Sequence, residues 1–369
     1  MMNEIRGYFA QLTGTSEQVG RLQGRTIKEH EALLDFMVLP ETLPAERLRE
    51  TIKMLDEYCP GINEEVHGLA EEIGVSPGRI RYYAETDLIP GCSHFAIAPR
   101  KMMDGKMYMM RNYDMSVDMD DMRLCSTNIE GSYSHTGFSV AMLGRTEGMN
   151  EHGLCVTFSA CGLPVGDAPG LRPAKVRGLQ FWAVVRTVLE RCRNTAEAVA
   201  AIQDMPIASN MNVIVGDASG EAALISLVDG QLGIRHAELE AGDGYITATN
   251  HPLFEEMKQL GIHRMNHSVV RHDLMEKRLR NEQQFNKEDL LRLVQAEYPH
   301  GLTVHNYAQS FGTLRSILFN LTDQTMDVCF GSPLTNPWYC VRVGETLPFT
   351  TIPVKVEQGL YDGSFWQSV

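Results

Sequence analysis

The chain has 369 residues and carries 33 Lys plus Arg against 47 Asp plus Glu, a formal charge of −14. Such an acidic balance disfavours a nucleic-acid partner, which needs basic stripes to neutralise phosphates, and a basic membrane-binding patch. With 43% hydrophobic and 22% charged residues the chain has the composition of an ordinary globular protein, which excludes wholesale disorder. Met1-Met2-Asn3-Glu4-Ile5-Arg6 shows no basic start leading into an apolar run, so no signal peptide is expected. No uninterrupted apolar stretch approaches the roughly eighteen residues a membrane span requires. Eight scattered cysteines without a CxxC pair argue against a disulfide framework and a structural zinc site, and for reduced thiols in a cytoplasmic protein.

Residues 1–91 read as an acidic helical segment. Ser16 to Val38 places Val19, Leu22, Ile27, Leu33, Leu34 and Met37 at helical spacing behind Ser16 as N-cap. Pro44 to Cys59 repeats the pattern with Leu48, Ile52 and Leu55 on one face, and Gly61 to Gly74 adds a third helix stopped by Gly74. Nine basic and sixteen acidic residues give this segment a net −7, half the charge of the whole chain.

From Cys92 the period falls to 2. His94 to Ala98 and Lys106 to Asn112 flank Asp104-Gly105, a strong hairpin signal. Phe138 to Leu143 and Leu154 to Ser159 flank a turn predicted over Gly148-Met149-Asn150-Glu151-His152-Gly153. A meander follows over 213–215, 221–228 and 231–236, and Thr313 to Leu321 pairs with Met326 to Phe330. Helices are predicted over 179–193, 195–205, 262–280 and 287–297. Antiparallel strand runs interrupted by blocks of helix indicate an α+β fold.

The candidate chemistry starts at Ile89-Pro90-Gly91-Cys92-Ser93-His94-Phe95, where the helical segment meets the first strand. A thiol can attack the carbonyl preceding its own residue only if that peptide bends toward it, which glycine allows without a Cβ clash. Cleavage there would make Cys92 an N-terminus whose α-amine, with a reference pKa of about 8, serves as base for its own sulfur. The plain alternative is one more buried cysteine. Arg111-Asn112-Tyr113-Asp114 closes the second strand of the hairpin, where Arg111 and Asp114 would orient that amine or form an ordinary ion pair. Thr247-Ala248-Thr249-Asn250-His251-Pro252 ends a strand in an asparagine suited either to an oxyanion or to a turn. Thr313-Leu314-Arg315-Ser316 sets an arginine in an apolar strand, as a substrate clamp or a satisfied structural cation.

The order of these elements, Gly-Cys, then RNYD, then GMNEHGL, then TNHP, resembles the acyl-coenzyme A:6-aminopenicillanic acid acyltransferase family of autoproteolytic N-terminal nucleophile hydrolases. The resemblance spans about 90 to 335, and penicillin V acylases and choloylglycine (bile-salt) hydrolases are cousins of that family. It implies an αββα sandwich of two antiparallel sheets between helical layers, with a propeptide-like segment 1–91 and a catalytic domain 92–369. By resemblance Cys92 is the nucleophile freed by cleavage after Gly91, leaving a chain of 278 residues. Asp114 matches the carboxylate that binds the new amine, Arg111 the arginine beside it, and Asn250 the oxyanion asparagine. The backbone N–H near Ser159 matches the second oxyanion donor, and Arg315 is the candidate for the late arginine of the site. Ser93 stands where the family often has threonine, and the spacing from Cys92 to RNYD is longer than usual.

The implied enzyme opens a linear amide bond of a small acylated amine or peptide through an acyl-enzyme on Cys92. The alternatives are transfer of an acyl group from a coenzyme A thioester to an amine, and an uncleaved, non-catalytic binding relative. The reading calls for no cofactor, metal, nucleic acid or membrane, and leaves open whether the cleaved fragments stay associated. Eight methionines between Met102 and Met122 read first as core filling and second as a flexible acyl pocket. His263, His267 and His272 read as a solvated helix face, and His94, two residues past Cys92, as a candidate Cys–His partner.

Overall fold

The change of period at Cys92 becomes a change of layer in the computed structural model, which describes residues 2–83, 91–162, 173, 175–237, 242–260 and 263–369. Helices α1 (Ser16–Lys28), α2 (Glu31–Met37), α3 (Ala45–Tyr58) and α4 (Ile62–Ile73) occupy the first part, where three were expected: the single helix read over Ser16 to Val38 is broken at Glu29 and His30. The N-cap of α1 is Thr15 rather than Ser16, because the Thr15 hydroxyl accepts from the Gln18 N–H while Gln18 reciprocates. Gly74, at φ 86°, closes α4 in the left-handed conformation that suits glycine. Ahead of them lies a strand that the helical reading lacked, β1 (Met2–Gly14). Its signal is short: Gly7 and Phe9 are buried while Glu4 and Arg6 are exposed.

The remaining strands are β2 (Gly91–Ile97), β3 (Tyr108–Met115), β4 (Arg123–Ile129), β5 (His135–Val140), β6 (Gly144–Arg145), β7 (Glu147–Asn150), β8 (Cys155–Ala160), β9 (Met211–Gly216), β10 (Ala222–Val228), β11 (Gln231–His236), β12 (Tyr245–Ala248), β13 (His305–Asn306), β14 (Phe311–Asn320), β15 (Thr325–Phe330), β16 (Trp338–Arg342) and β17 (Thr351–Glu357). Between them run helices α5 (Phe181–Arg191), α6 (Thr195–Asp204), α7 (Glu255–Lys258), α8 (Asn266–Asn281) and α9 (Lys287–Gln295).

Two sheets result. The first has the order β11-β10-β9-β8-β7-β5-β4-β1-β17, with β6 on β5; the second has β12-β2-β3-β14-β15-β16, with β13 on β14. The first is mixed rather than purely antiparallel, because β1 runs parallel to β4 while pairing antiparallel with β17. The turn predicted over 148–153 is shorter than expected, since Gly148, Met149 and Asn150 belong to β7. Gly148 serves a close approach there: a Cβ on it would come within 2.8 Å of the Thr136 carbonyl oxygen.

Period-2 alternation sorts β2 cleanly between two cores. Cys92 and Ala96 join the cluster between the sheets with Met109, Tyr113, Phe138, Val156, Phe158 and Ile214. Phe95 and Ile97 point the other way, to Met275 and Leu279 of α8 and to Leu290, Leu293 and Val294 of α9. With α5 packed on the far side of the first sheet, the molecule is an αββα sandwich. The N-terminal helices are tied to that outer layer by the buried ion pair between Glu65 of α4 and Arg186 of α5. Of the eight clustered methionines, Met102, Met107, Met109, Met110, Met115 and Met122 are buried core, while Met103 and Met119 face solvent. No disulfide links the described cysteines, and no helix among the described residues is long and apolar enough to cross a membrane.

Candidate active site

Hairpin pairing sets the site's frame. Across β2 and β3, Gly91 lies opposite Asp114, Cys92 opposite Tyr113, and His94 opposite Arg111. Ile89 and Pro90 of the junction lie outside the described residues. Cys92 is fully buried, its N–H donating to Asn250 Oδ1 at 2.9 Å and its Sγ receiving Arg111 Nη2 at 2.9 Å. Burial pushes the Cys92 thiol up to about 11; Arg111 works against that rise, and Asp114 and Glu147 add to it.

Arg111 is held by protein groups behind the thiol. Its Nη1 donates to the Thr146 carbonyl and to Glu147 Oε2, and Glu147 Oε1 accepts Arg315 Nε at 2.7 Å. Arg315 spends further donors on Asp120 (2.9 Å) and the Thr146 hydroxyl (2.7 Å), and its guanidinium lies 3.6 Å from the centroid of the Tyr113 ring. Burial opposes the Arg315 charge, but Asp120 and Glu147 more than offset it, so its pKa is raised.

A bulge in β14 makes this possible. The register with β3 steps between Thr313 and Arg315, so Thr313 falls opposite Asp114 and Arg315 opposite Tyr113. The two side chains therefore leave on opposite faces: Arg315 toward the sheet-to-sheet core, and Thr313 outward, where its hydroxyl donates to Asp114 Oδ1 at 2.6 Å.

On that outer face Arg271 of α8 completes the partners of Asp114. Its Nη1 pairs with Asp114 Oδ2, and its Nη2 donates to Asn250 Oδ1 at 3.2 Å and meets His267 Nδ1 at 3.0 Å. Burial raises the Asp114 pKa, and Arg271 and Thr313 oppose the rise. Asn250 stands two residues past the end of β12; its N–H is fixed by Ser268 Oγ (2.8 Å) and its Nδ2 donates to the Ala160 carbonyl (2.9 Å). Next to it, Asn212 of β9 donates to the Thr249 and His251 carbonyls, pinning the strand end.

Ser159 lies in β8 opposite Asn212, and its hydroxyl donates to the Thr249 carbonyl at 2.6 Å. Because that proton is committed, His94 Nε2 must donate to Ser159 Oγ (3.1 Å), leaving Nδ1 to accept from Thr157 Oγ1 (2.8 Å). Burial holds the His94 pKa well below its ordinary value, so the ring is neutral with both nitrogens engaged by β8. His94 is therefore a structural residue rather than a base paired with Cys92.

Cys92, Arg111, Asp114 and Asn250 come together around one junction, with Gly91 on the outer face. Arg315 reaches the thiol only through Glu147 and Arg111, and Ser159 reaches Asn250 through the 249–250 backbone. Sequence reasoning missed Glu147, Asp120 and Arg271. The readable signal for Arg271 was its place on the helical stripe His267, Arg271, Met275, Leu279, all buried, where a lone cation demands a carboxylate. His267 is accordingly no solvated residue: it stacks on Phe365 at 4.7 Å and meets Phe311 at 4.6 Å. No group of three metal-ligating side chains occurs among the described residues.

Residues 101–335 match the family model described as acyl-coenzyme A:6-aminopenicillanic acid acyl-transferase. Among solved structures the chain is similar to a penicillin V acylase from Agrobacterium tumefaciens, at 20% identity and TM-score 0.46, covering 68% of this chain and 86% of that one. It is also similar to a mutant conjugated bile acid hydrolase from Clostridium perfringens, at 13% identity and TM-score 0.43, covering 72% and 97%. Comparison with curated proteins gives no match.

Proposed function

The chain belongs to the acyl-coenzyme A:6-aminopenicillanic acid acyltransferase family, and on that premise we propose that it is an autoproteolytic cysteine amidohydrolase whose nucleophile is Cys92. Membership makes it an enzyme of the N-terminal nucleophile hydrolase and acyltransferase class, which sets aside the non-catalytic module. The observation that carries the specific reading is the junction itself: a buried thiol at the start of a strand, directly after glycine, with Arg111 Nη2 on its sulfur and Asn250 on its nitrogen.

In processing, Cys92 Sγ attacks the Gly91 carbonyl carbon. The S–C bond forms, the C–N bond breaks, and the thiol proton ends on the departing Cys92 nitrogen. Water then hydrolyses the thioester, leaving a Gly91 carboxylate and restoring the thiol beside a new α-amine. The holding of that amine falls, in this reading, to Asp114, which pairs across the hairpin from Gly91. In turnover the amine takes the thiol proton, the thiolate attacks a substrate amide carbonyl, and Asn250 with a backbone donor from β8 stabilises the oxyanion, each such donor worth about 3 kcal/mol. The amine passes its proton to the leaving group. Water resolving the acyl-enzyme gives hydrolysis; an amine acceptor, with an amide or a coenzyme A thioester as donor, gives transfer.

Cleavage after Gly91 does not free residues 1–91 in this reading. β1 pairs with β17 from Met2↔Glu357 to Tyr8↔Thr351 and with β4 from Tyr8↔Arg123 to Gly14↔Ile129, so its loss would open two strand edges. The mature protein is thus a nicked pair of chains. Intact mass under denaturing conditions tests this: fragments 1–91 and 92–369 are expected, co-eluting natively, with a single uncut and inactive chain for Cys92→Ala. An uncut, active wild-type chain overturns the reading. Release of an amine from an acyl-amine probe, with and without an added acceptor, separates hydrolysis from transfer.

A further inference from the structure

The two reactions proposed above, self-cleavage and turnover, pass through the same kind of covalent species, a thioester between Cys92 Sγ and an acyl carbon. In the first, that acyl group is the chain's own residue 91. The surroundings of the Gly91 α-carbon in the uncut chain are therefore the surroundings of the acyl α-carbon in turnover, since Sγ and its carbonyl partner are the same atoms or occupy the same place.

Those surroundings are asymmetric. On the outer face of β2 the ring of Phe311 lies flush against Gly91, so that a Cβ built on residue 91 would overlap the ring at Cζ and Cε2. Phe311 is 7% exposed and is wedged in an aromatic box: His267 at 4.6 Å, Trp366 at 5.1 Å and Phe365 at 5.7 Å between ring centroids, with the Arg271 guanidinium 5.6 Å above it. The box is anchored from the C-terminal tail, where the Asn266 N–H donates to the Gln367 carbonyl, the His267 N–H to the Phe365 carbonyl, and Trp366 Nε1 to Gln309 Oε1. A ring packed on several sides cannot swing aside without displacing its neighbours.

We infer that Phe311 is a specificity-determining residue that admits acyl groups whose α-carbon is an unbranched CH2 and rejects those carrying a substituent in the L position. The admitted class comprises glycyl-type amides and others whose acyl α-carbon is a CH2; L-aminoacyl amides, and α-methyl acyl amides of the same hand, are excluded. The inference rests on Cys92 being the nucleophile and names the acyl class that the nucleophile takes.

The test runs first within the chain and then on added substrate. Gly91→Ala slows self-cleavage by roughly 10- to 200-fold, the range for a misfit methyl, and Phe311→Ala in the same chain restores most of that rate. On substrates, the p-nitroanilides of N-acetylglycine and N-acetyl-L-alanine show a similar preference for the glycyl compound in the wild-type enzyme, and Phe311→Ala narrows it to within a few-fold. Phe311→Leu, which keeps apolar contact with the box, replaces Phe311→Ala should the latter lose its thermal transition. A Gly91→Ala chain cut at the wild-type rate, or one that Phe311 replacement does not rescue, overturns the inference while leaving the nucleophile in place. A wild-type chain that is never cut overturns the functional reading and this inference together.

Discussion

The inner and outer faces of β2, β3 and β14 carry different kinds of charge, and they meet at the Gly91–Cys92 junction. Inward, two arginines (Arg111 and Arg315) and two carboxylates (Glu147 and Asp120) are all buried, joined by direct hydrogen bonds. The set balances its own charge, so the N–H that Arg111 offers to Cys92 arrives from a guanidinium already paired with Glu147. This explains why burial dominates and the thiol stays near 11 in the uncut chain. Outward, Asp114 is shared between Arg271 and Thr313 beside the bond to be cut, and Arg271 also touches Asn250. The inner network supports the fold; the outer one is placed to answer a change of charge when an amine appears at residue 92.

Unequal responses to substitution would sharpen this division, and equal ones would break it. The largest expected effect is on the inner side. Arg315→Met leaves Asp120 and one oxygen of Glu147 buried without their cation, a loss of about 3–5 kcal/mol in stability. Thermal and urea unfolding should register it, while the fraction that remains folded is cut at nearly the normal rate. Asp114→Asn differs in what it does to the chemistry. It keeps the shape and a hydrogen-bond acceptor but leaves Arg271 buried without its counter-charge, so the unfolding midpoint falls here too and the rate is read on the folded fraction. Self-cleavage or turnover falls about 100-fold, the usual scale for a proton-handling group, equivalent to about 2.7 kcal/mol of barrier. A normal rate for Asp114→Asn removes it from the chemistry.

Much of this arrangement was legible in the sequence because its elements are local. Asp104-Gly105 announces the hairpin that brings Arg111 and Asp114 beside Cys92, and Asn250 stands at a strand end before His-Pro. Features that depend on distant partners were not legible. β1 reads weakly because its pairing is supplied by β4 and β17, more than a hundred residues away. Gly148 looks like a turn glycine but is one half of a close approach between β5 and β7. Thr313 and Arg315, two apart, should share a strand face, and only the bulge at Leu314 separates them. Glu147 and Arg271 carry no motif of their own; each becomes recognisable only as a buried charge in need of a partner.

The smallest expected effect is a titration, and it probes the inner network from the thiol's side. In the uncut chain the Cys92 pKa lies above its ordinary value of 9, at about 11, chiefly through burial. Between those values the unfolded chain has lost the proton that the folded chain still holds. The stability contributed by the protonated thiol is therefore complete below pH 9 and lost as pH rises through 11, at no more than about 1.4 kcal/mol per pH unit. Gly91→Ala slows the cut, so chain shown by intact mass to be still joined serves for the measurement, and Gly91→Ala/Cys92→Ala removes only the titrating group. Urea unfolding of the pair from pH 8 to pH 11 should show the thiol-bearing chain losing stability relative to its alanine partner across that window. A difference that stays flat would mean that Arg111 delivers net charge to the sulfur despite Glu147. The inner face would then belong to the chemistry as much as the outer one.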